Sequence, residues 1–317
     1  MPTRGPTNKM EFGPHLMLAM LEGLVQASVL TLTALGLSLV FGVMRVVNVA
    51  HGEFFMLGAV LAWWVTTMLG GNPAVGFVVA LVVAPLLVGL MAAAADWLVL
   101  RRVEYDPERT IVATIGLLYI IQQVTLMTYG PDAHPVTPPF NTRLALPWYE
   151  FTDAGFQIYW PWGLSITSYK LFVIAAAIVT CLGLWLLMAR SKIGLILRAT
   201  QLDSETAQAF GIPVERVFAL VFGMGAALAA LGAVLVVPIQ QAHYLMGGDP
   251  LLLSFIVVII GGLGSLRGTV VAAILIGMSD GIISVFFTPT LAKMLATLLV
   301  AMVLVYRPQG LFGAKPA

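Results

Sequence analysis

From residue 54 to residue 95 the chain carries no Asp, Glu, Lys or Arg, a run of 42 residues broken only by the turn-like Gly70-Gly71-Asn72-Pro73. A water-soluble domain would need charge in such a stretch to cover its surface. A pair of membrane-crossing helices needs its absence, because an ionised side chain at the bilayer centre costs about 2.5–3.5 kcal/mol or more. Charge-free runs recur at 110–128, 171–189 and 217–242, each close to the ~20 residues that cross a ~30 Å hydrocarbon core as helix.

Hydrophobic residues make up 60% of the 317 and charged residues 10%, against about 45–50% and about 25% in soluble domains. The expected fold is therefore an all-α polytopic membrane protein, one membrane-spanning domain over 1–317. The runs are too long and too evenly apolar for barrel strands. A formal net charge of +1 points to no nucleic-acid partner. Cys181 is alone in an apolar run, which excludes a disulfide framework and a Cys-based metal site. Arg4 and Lys9 precede an apolar stretch, as in a signal peptide. That stretch, about 16–44, is longer than a signal's apolar core and lacks a small-residue cleavage site, so it is expected to stay as a span.

Spans are expected near 20–44, 54–69, 75–98, 110–128, 171–189, 217–238, 269–287 and 291–306, with a ninth apolar segment, 251–264, short enough to be re-entrant. The result is a bundle of about eight or nine helices. Arg101, Arg102 and Arg109 mark 99–109 as cytoplasmic by the positive-inside rule; so do Arg190, Lys192, Arg198 and Arg216 in 190–216, and Arg307 in the tail. The connection 129–170 then lies outside. It is Pro-rich and holds Trp148, Tyr149, Tyr159, Trp160 and Trp162, residues suited to a membrane–water boundary. Counting back places the amino terminus outside, against the pull of Arg4 and Lys9.

Three places interrupt the apolar pattern. The first is 42–53, where Asn48, His51 and Glu53 sit between two glycines, Gly42 and Gly52. The segment reads either as a short solvated turn or as a discontinuous helix whose polar groups border a pathway. The second, 261–268, contains Gly261, Gly262, Gly264, Ser265 and Gly268. Paired glycine-interrupted segments in two halves of a chain point to a transport path, here Gly262, Gly264 and Ser265; the alternative is a tight turn allowing close helix contact. It is no phosphate loop, since the chain contains no Gly-Lys pair. The third is 198–213, where Asp203 or Ser204 suits an N-cap, Gly211 a C-terminal cap and Pro213 the start of the next helix. A helix over about 203–211 is too short to stand alone and needs something to dock against, either its own spans or a partner.

Enzyme signals are missing. The four histidines show no metal-ligand spacing, and no Gly-x-Ser-x-Gly occurs. Glu22, Asp280 and Lys293 are isolated charges near spans to which the sequence assigns no role.

Asn48-Val49-Ala50-His51-Gly52-Glu53 resembles the Asn-Phe-Ala-His-Gly signature of the membrane permeases of high-affinity branched-chain amino-acid ABC importers, the LivH family. Gly36-Leu37-Ser38-Leu39-Val40-Phe41-Gly42, the Gly-Gly-Leu-Gly-Ser break and the ending Tyr306-Arg307-Pro308-Gln309-Gly310-Leu311-Phe312-Gly313 are similar to the same family, in the same order, over about 20–313. ABC import permeases carry Glu-Ala-Ala-x-x-x-Gly on a cytoplasmic coupling helix. Glu205, Thr206, Ala207 and Gly211 fall on that spacing, with Thr in place of the first Ala. The resemblance implies a permease of the bacterial cytoplasmic (inner) membrane, partnered by a second homologous permease, two ABC ATPase subunits that hold the ATP, and a periplasmic solute-binding protein. It also implies a chain without an ATPase site or cofactor of its own. Ala207 is then expected to enter a groove on the ATPase, with Asp203, Ser204, Glu205, Thr206 and Gly211 shaping the coupling helix. Permeases for urea or short amides look similar, and an ion-coupled secondary transporter is the reading from outside the ABC class.

Overall fold

Apolar segments in a bilayer must satisfy their backbone hydrogen bonds internally, and each predicted run is helical in the computed structural model, which describes residues 12–145, 148–152, 155–159, 165–307 and 310–312. Arg4, Lys9, Trp160, Trp162, Pro308, Gln309 and Gly313 lie outside the described residues. In chain order the helices are α1 (Phe12–Met44), α2 (His51–Leu69), α3 (Pro73–Leu98), α4 (Pro107–Tyr129), α5 (Ser168–Arg190), α6 (Lys192–Leu202), α7 (Ser204–Ala209), α8 (Val214–Gln240), α9 (Gly248–Gly261), α10 (Leu266–Phe286) and α11 (Pro289–Tyr306), with a 3-10 turn at Leu100–Val103. Seven are long and apolar enough to cross a membrane, while α9 and the apolar stretch Pro289–Val303 of α11 are shorter. The protein is an all-α, multi-pass membrane protein.

Two elements depart from the sequence-based expectation. The loop 190–216 holds a further helix, α6, capped by the Ser191 hydroxyl accepting from Gly194 N–H at 2.9 Å. The connection 129–170 contains two antiparallel pairs, β1 (Arg143–Ala145) with β4 (Ser165–Thr167) and β2 (Trp148–Thr152) with β3 (Gly155–Tyr159). A Pro-biased chain too irregular for helix still has backbone groups to pair, and antiparallel strands do so locally.

α1 and α8 form the centre, with 83% and 72% of their apolar cores buried, against 17% for α4 and 22% for α5 at the periphery. Small residues let the central helices touch by backbone: a Cβ on Gly36 of α1 would lie 2.3 Å from the Gly225 carbonyl oxygen of α8, and one on Gly277 of α10 2.3 Å from Ala27 Cα. α1 packs along α10 just as α8 packs along α3.

These pairings exchange the first four helices with the last four. In both sets a long central helix is followed by an irregular stretch, a helix that starts at depth, and two more helices. The two sets run in opposite senses. Arg101 Nη2 bonds Glu215 Oε2 at 2.6 Å, joining the α3–α4 turn to the start of α8. Gly42, near the end of α1, abuts Gly264 beyond the end of α9. So the basic segments gather at one end of the bundle, where α1 and α9 finish and α8 begins. At the opposite end Lys170 pairs with Glu22, and His134 forms a two-way backbone bridge with Ala242. The arrangement is an inverted repeat.

Candidate functional site

α1 stops at Met44. Arg45 then adopts φ +56, a left-handed turn costly for a residue with a Cβ. Residues 45–50 climb back into the bundle, and Val49 N–H donates to Thr114 Oγ1 of α4 at 3.2 Å. α2 begins at His51, whose Nε2–H donates to the Thr33 carbonyl oxygen at 2.9 Å. Thr33 precedes the end of α1 by 11 residues, about 16 Å at helical rise. The first break is therefore a discontinuous helix at depth. The solvated-turn alternative fails on burial, for Asn48, His51 and Glu53 are 1%, 0% and 4% exposed. Asn48 Oδ1, His51 Nδ1 and Glu53 Oε2 have no hydrogen-bond partner among the described residues, an arrangement that costs about 1–3 kcal/mol per group. Asp96 Oδ1 and Thr110 Oγ1, near the basic end of α3 and α4, are orphaned likewise.

The mirror-image event follows α8. Residues 241–247 return from the opposite end, and α9 starts at depth. Its lead-in glycine meets the first turn of α2: a Cβ on Gly247 would stand 2.2 Å from the Gly52 carbonyl oxygen. Two half-helices thus begin at one point and run in opposite directions. Beside this point, lined by Thr33 and by Phe55 of α2, lies a cavity of about 380 Å³ whose wall also includes Asp249, Asp280 and Lys293. Lys293 Nζ donates to Asp249 Oδ2 at 2.6 Å. None of the six predicted pathway residues lines this cavity; His51 stands one hydrogen bond behind its wall.

Gly262, Gly264 and Ser265 form a tight turn. Ser265 N–H donates to the Gly262 carbonyl, the Ser265 hydroxyl caps α10 by accepting from Gly268 N–H at 3.2 Å, and Gly264 (φ +78) packs on Gly42. Leu311 N–H donates to the Ile260 carbonyl at 2.7 Å, tying the tail to the same turn. The geometry favours the close-contact alternative for this segment.

At the basic end α7 carries the predicted caps. Asp203, not Ser204, is the N-cap; its Oδ1 accepts from Glu205 and Thr206 N–H at 3.0 and 3.1 Å, and its Oδ2 from the Thr206 hydroxyl at 2.5 Å. These bonds, the hydroxyl's first, hold the Asp203 carboxyl below its ordinary range. Gly211 adopts φ +85; its N–H donates to Gln208 and that of Ile212 to Ala207, the paired pattern of a Schellman cap. Ala207 is 5% exposed and packs into the protein's own core, so it anchors α7 rather than facing outward. Leu202 and Phe210, at the two ends of the helix, are 80% and 85% exposed. Behind them, the Tyr105 hydroxyl donates to Asp96 at 3.3 Å, and its ring meets Phe218 edge-on with centroids 4.7 Å apart. Burial, then the neighbouring Asp96, pushes the Tyr105 phenol above its ordinary range.

A family model described as the permease component of branched-chain amino acid transport systems matches residues 19–305. The chain belongs to this permease family. It is 26% identical over 310 residues to the high-affinity branched-chain amino acid transport permease protein BraD of Pseudomonas aeruginosa, covering 94% of this chain and 96% of that one. Identity to LivH of Escherichia coli K12, which carries the same description, is 26% over 309 residues, 93% and 94% of the two chains. A protein described as a probable branched-chain amino acid transport permease LivH, from Methanocaldococcus jannaschii, is 26% identical over 302 residues, 92% and 91% of the chains. No solved structure matches.

In this permease the polar signature and the caps at Asp203 and Gly211 were readable from sequence. The cavity was not. Asp249 and His243 gave no local signal, and Asp280 and Lys293 stood out only as rare charges in spans.

Proposed function

We propose that this permease is the membrane-spanning subunit of a binding-protein-dependent ABC importer that moves branched-chain amino acids inward across a bacterial inner membrane. Two ATPase subunits hold the ATP, a second homologous permease completes the pathway, and a periplasmic solute-binding protein delivers the substrate. The chain itself binds no nucleotide or metal. The basic end faces the cytoplasm, in keeping with the positive-inside rule.

The observation that carries this reading is α7. Six residues cannot hold a helix in water, yet this one is capped at both ends and pinned through Ala207, with Leu202 and Phe210 left bare beside it. A rigid, doubly capped end that shows apolar side chains suits an ATPase groove, and it passes movement through α6 and α8 to the spans. Glu205, Thr206 and Gly211 take the coupling roles on that helix. Asn48, His51 and Glu53, whose orphaned atoms want partners, border the path when it opens toward the cytoplasm.

The test is uptake by proteoliposomes containing this permease, its partner permease and the ATPases. Labelled L-leucine should accumulate only with ATP and loaded binding protein. Uptake driven by an ion gradient without ATP would favour a secondary transporter, and transport of urea or acetamide but not leucine would move the substrate to the amide class.

A further inference from the structure

The cavity beside the meeting point of α2 and α9 gathers four ionisable side chains: His243 from the stretch before α9, Asp249 of α9, Asp280 of α10 and Lys293 of α11. Lys293 and Asp249 keep 40% and 67% of their side-chain surface exposed, so the pair stands at the open mouth of the cavity, and charges beside a span persist where they meet each other, water or cargo. Here the inventory is asymmetric. Lys293 spends one of its three N–H donors on Asp249. Asp280 makes no hydrogen bond among the described residues. The wall thus offers an ammonium with donors to spare and a carboxylate with its acceptors open. The lining also includes apolar Leu30 of α1, Phe55 of α2 and Leu253 of α9, with polar Gln26 of α1 and Gln240 of α8 among them. At about 380 Å³ the space falls in the roughly 300–1,000 Å³ range of small-molecule sites.

We infer that this cavity is a receiving site for a free α-amino acid, in which Lys293 takes the carboxylate, Asp280 takes the ammonium, and Leu30, Phe55 and Leu253 receive the aliphatic side chain. The inference rests on the amino-acid importer reading and deepens it by placing cargo recognition in this chain as well as in the binding protein. A neutral amide would leave Asp280 without a hydrogen-bond partner and would offer the spare donors of Lys293, already bonded to Asp249, no charge to meet. The cavity lies at the end opposite the basic segments, where cargo would arrive, and one hydrogen bond from His51, the first of the buried polar groups leading onward.

Complete transporters carrying Asp280→Asn or Lys293→Met should be reconstituted and supplied with saturating leucine-loaded binding protein. Each replaces one charge-assisted contact, so leucine uptake should fall about ten- to hundredfold, while binding-protein-stimulated ATP hydrolysis stays within about twofold of the unaltered complex, because α7 and its contacts are untouched. Uptake unchanged in both variants overturns the site. If the unaltered complex moves no leucine at all, the importer reading has failed, and the site with it on separate grounds. Ser284→Cys gives a readout independent of assembly with altered charges. Ser284 lines the same cavity, and its labelling by a small water-soluble thiosulfonate should slow in millimolar L-leucine and not in urea. Equal labelling with and without leucine would also overturn it.

Discussion

Gly36→Ala sets two opposing effects against each other at one position. Alanine is the better helix former by about 1 kcal/mol, so the change would stabilise α1 if space allowed. It does not: the new Cβ would lie 2.3 Å from the Gly225 carbonyl oxygen and 3.1 Å from His51 Cε1. The obstacle on α8 is backbone and has no rotamer to turn away. Relief needs a displacement of about 1 Å between the two most buried helices, and a gap of that size forfeits a quarter to a half of each dispersion contact. Overpacking of this kind costs about 1–3 kcal/mol. Subtracting the propensity gain of about 1 kcal/mol leaves a net loss of about 0–2 kcal/mol, and because the obstacle is backbone the steric term wins at this position. Displacing His51 also strains its bond to Thr33. Gly183→Ala, in α5, is the matched control, for nothing lies within 4 Å of a Cβ there. Thermal unfolding of the detergent-purified protein should rank Gly36→Ala below the unaltered chain and Gly183→Ala level with or above it. Equal midpoints for the two variants would refute the packing argument.

Gly211→Val meets no neighbour within 4 Å but forces a β-branched residue to φ +85, costing about 1–2 kcal/mol; stimulated ATP hydrolysis should fall while the amount of inserted protein holds. Phe210→Asp removes an exposed apolar contact and should weaken co-purification with the ATPases without lowering the unfolding midpoint of the isolated permease. The Asp203 carboxyl is lowered in the folded state, so its capping contribution is complete above the ordinary carboxylate value of about 3.9 and is lost as pH falls through the lowered one. Cleavage of the α6–α7 segment by an acid-active protease should rise only below about pH 4, and Asp203→Asn should abolish that dependence.

The spans were legible because bilayer energetics penalise every charge they might have carried. The shortness of 251–264 was legible too, and it becomes α9, a helix that starts at depth. The caps of α7 could be read because Asp203 and Gly211 act on backbone groups a few residues away. What stayed hidden depends on distant partners. Ala207 looked like a partner contact on spacing alone; only the fold shows that its face of α7 turns inward onto the core. α6 was concealed by its charges, Lys192 and Arg198, which suit a surface helix as well as a loop. The strand pairs of 143–167 were hidden by prolines. The cavity is assembled from segments between Gln26 and Lys293, and no local pattern could announce that Asp249, Asp280 and Lys293 meet.

The contact between Gly52 and Gly247 constrains how this sequence can change over time. Ordinary core pairs drift by exchange, one side chain growing as its neighbour shrinks. Here neither partner has a side chain to give up, and a Cβ on either would come within 2.4 Å of the other's carbonyl oxygen. An enlarging mutation at one site has no compensating mutation at the other. The two positions should therefore stay fixed as a pair while the walls around them diverge, and a lineage that loses one glycine must rebuild the junction from the backbone outward.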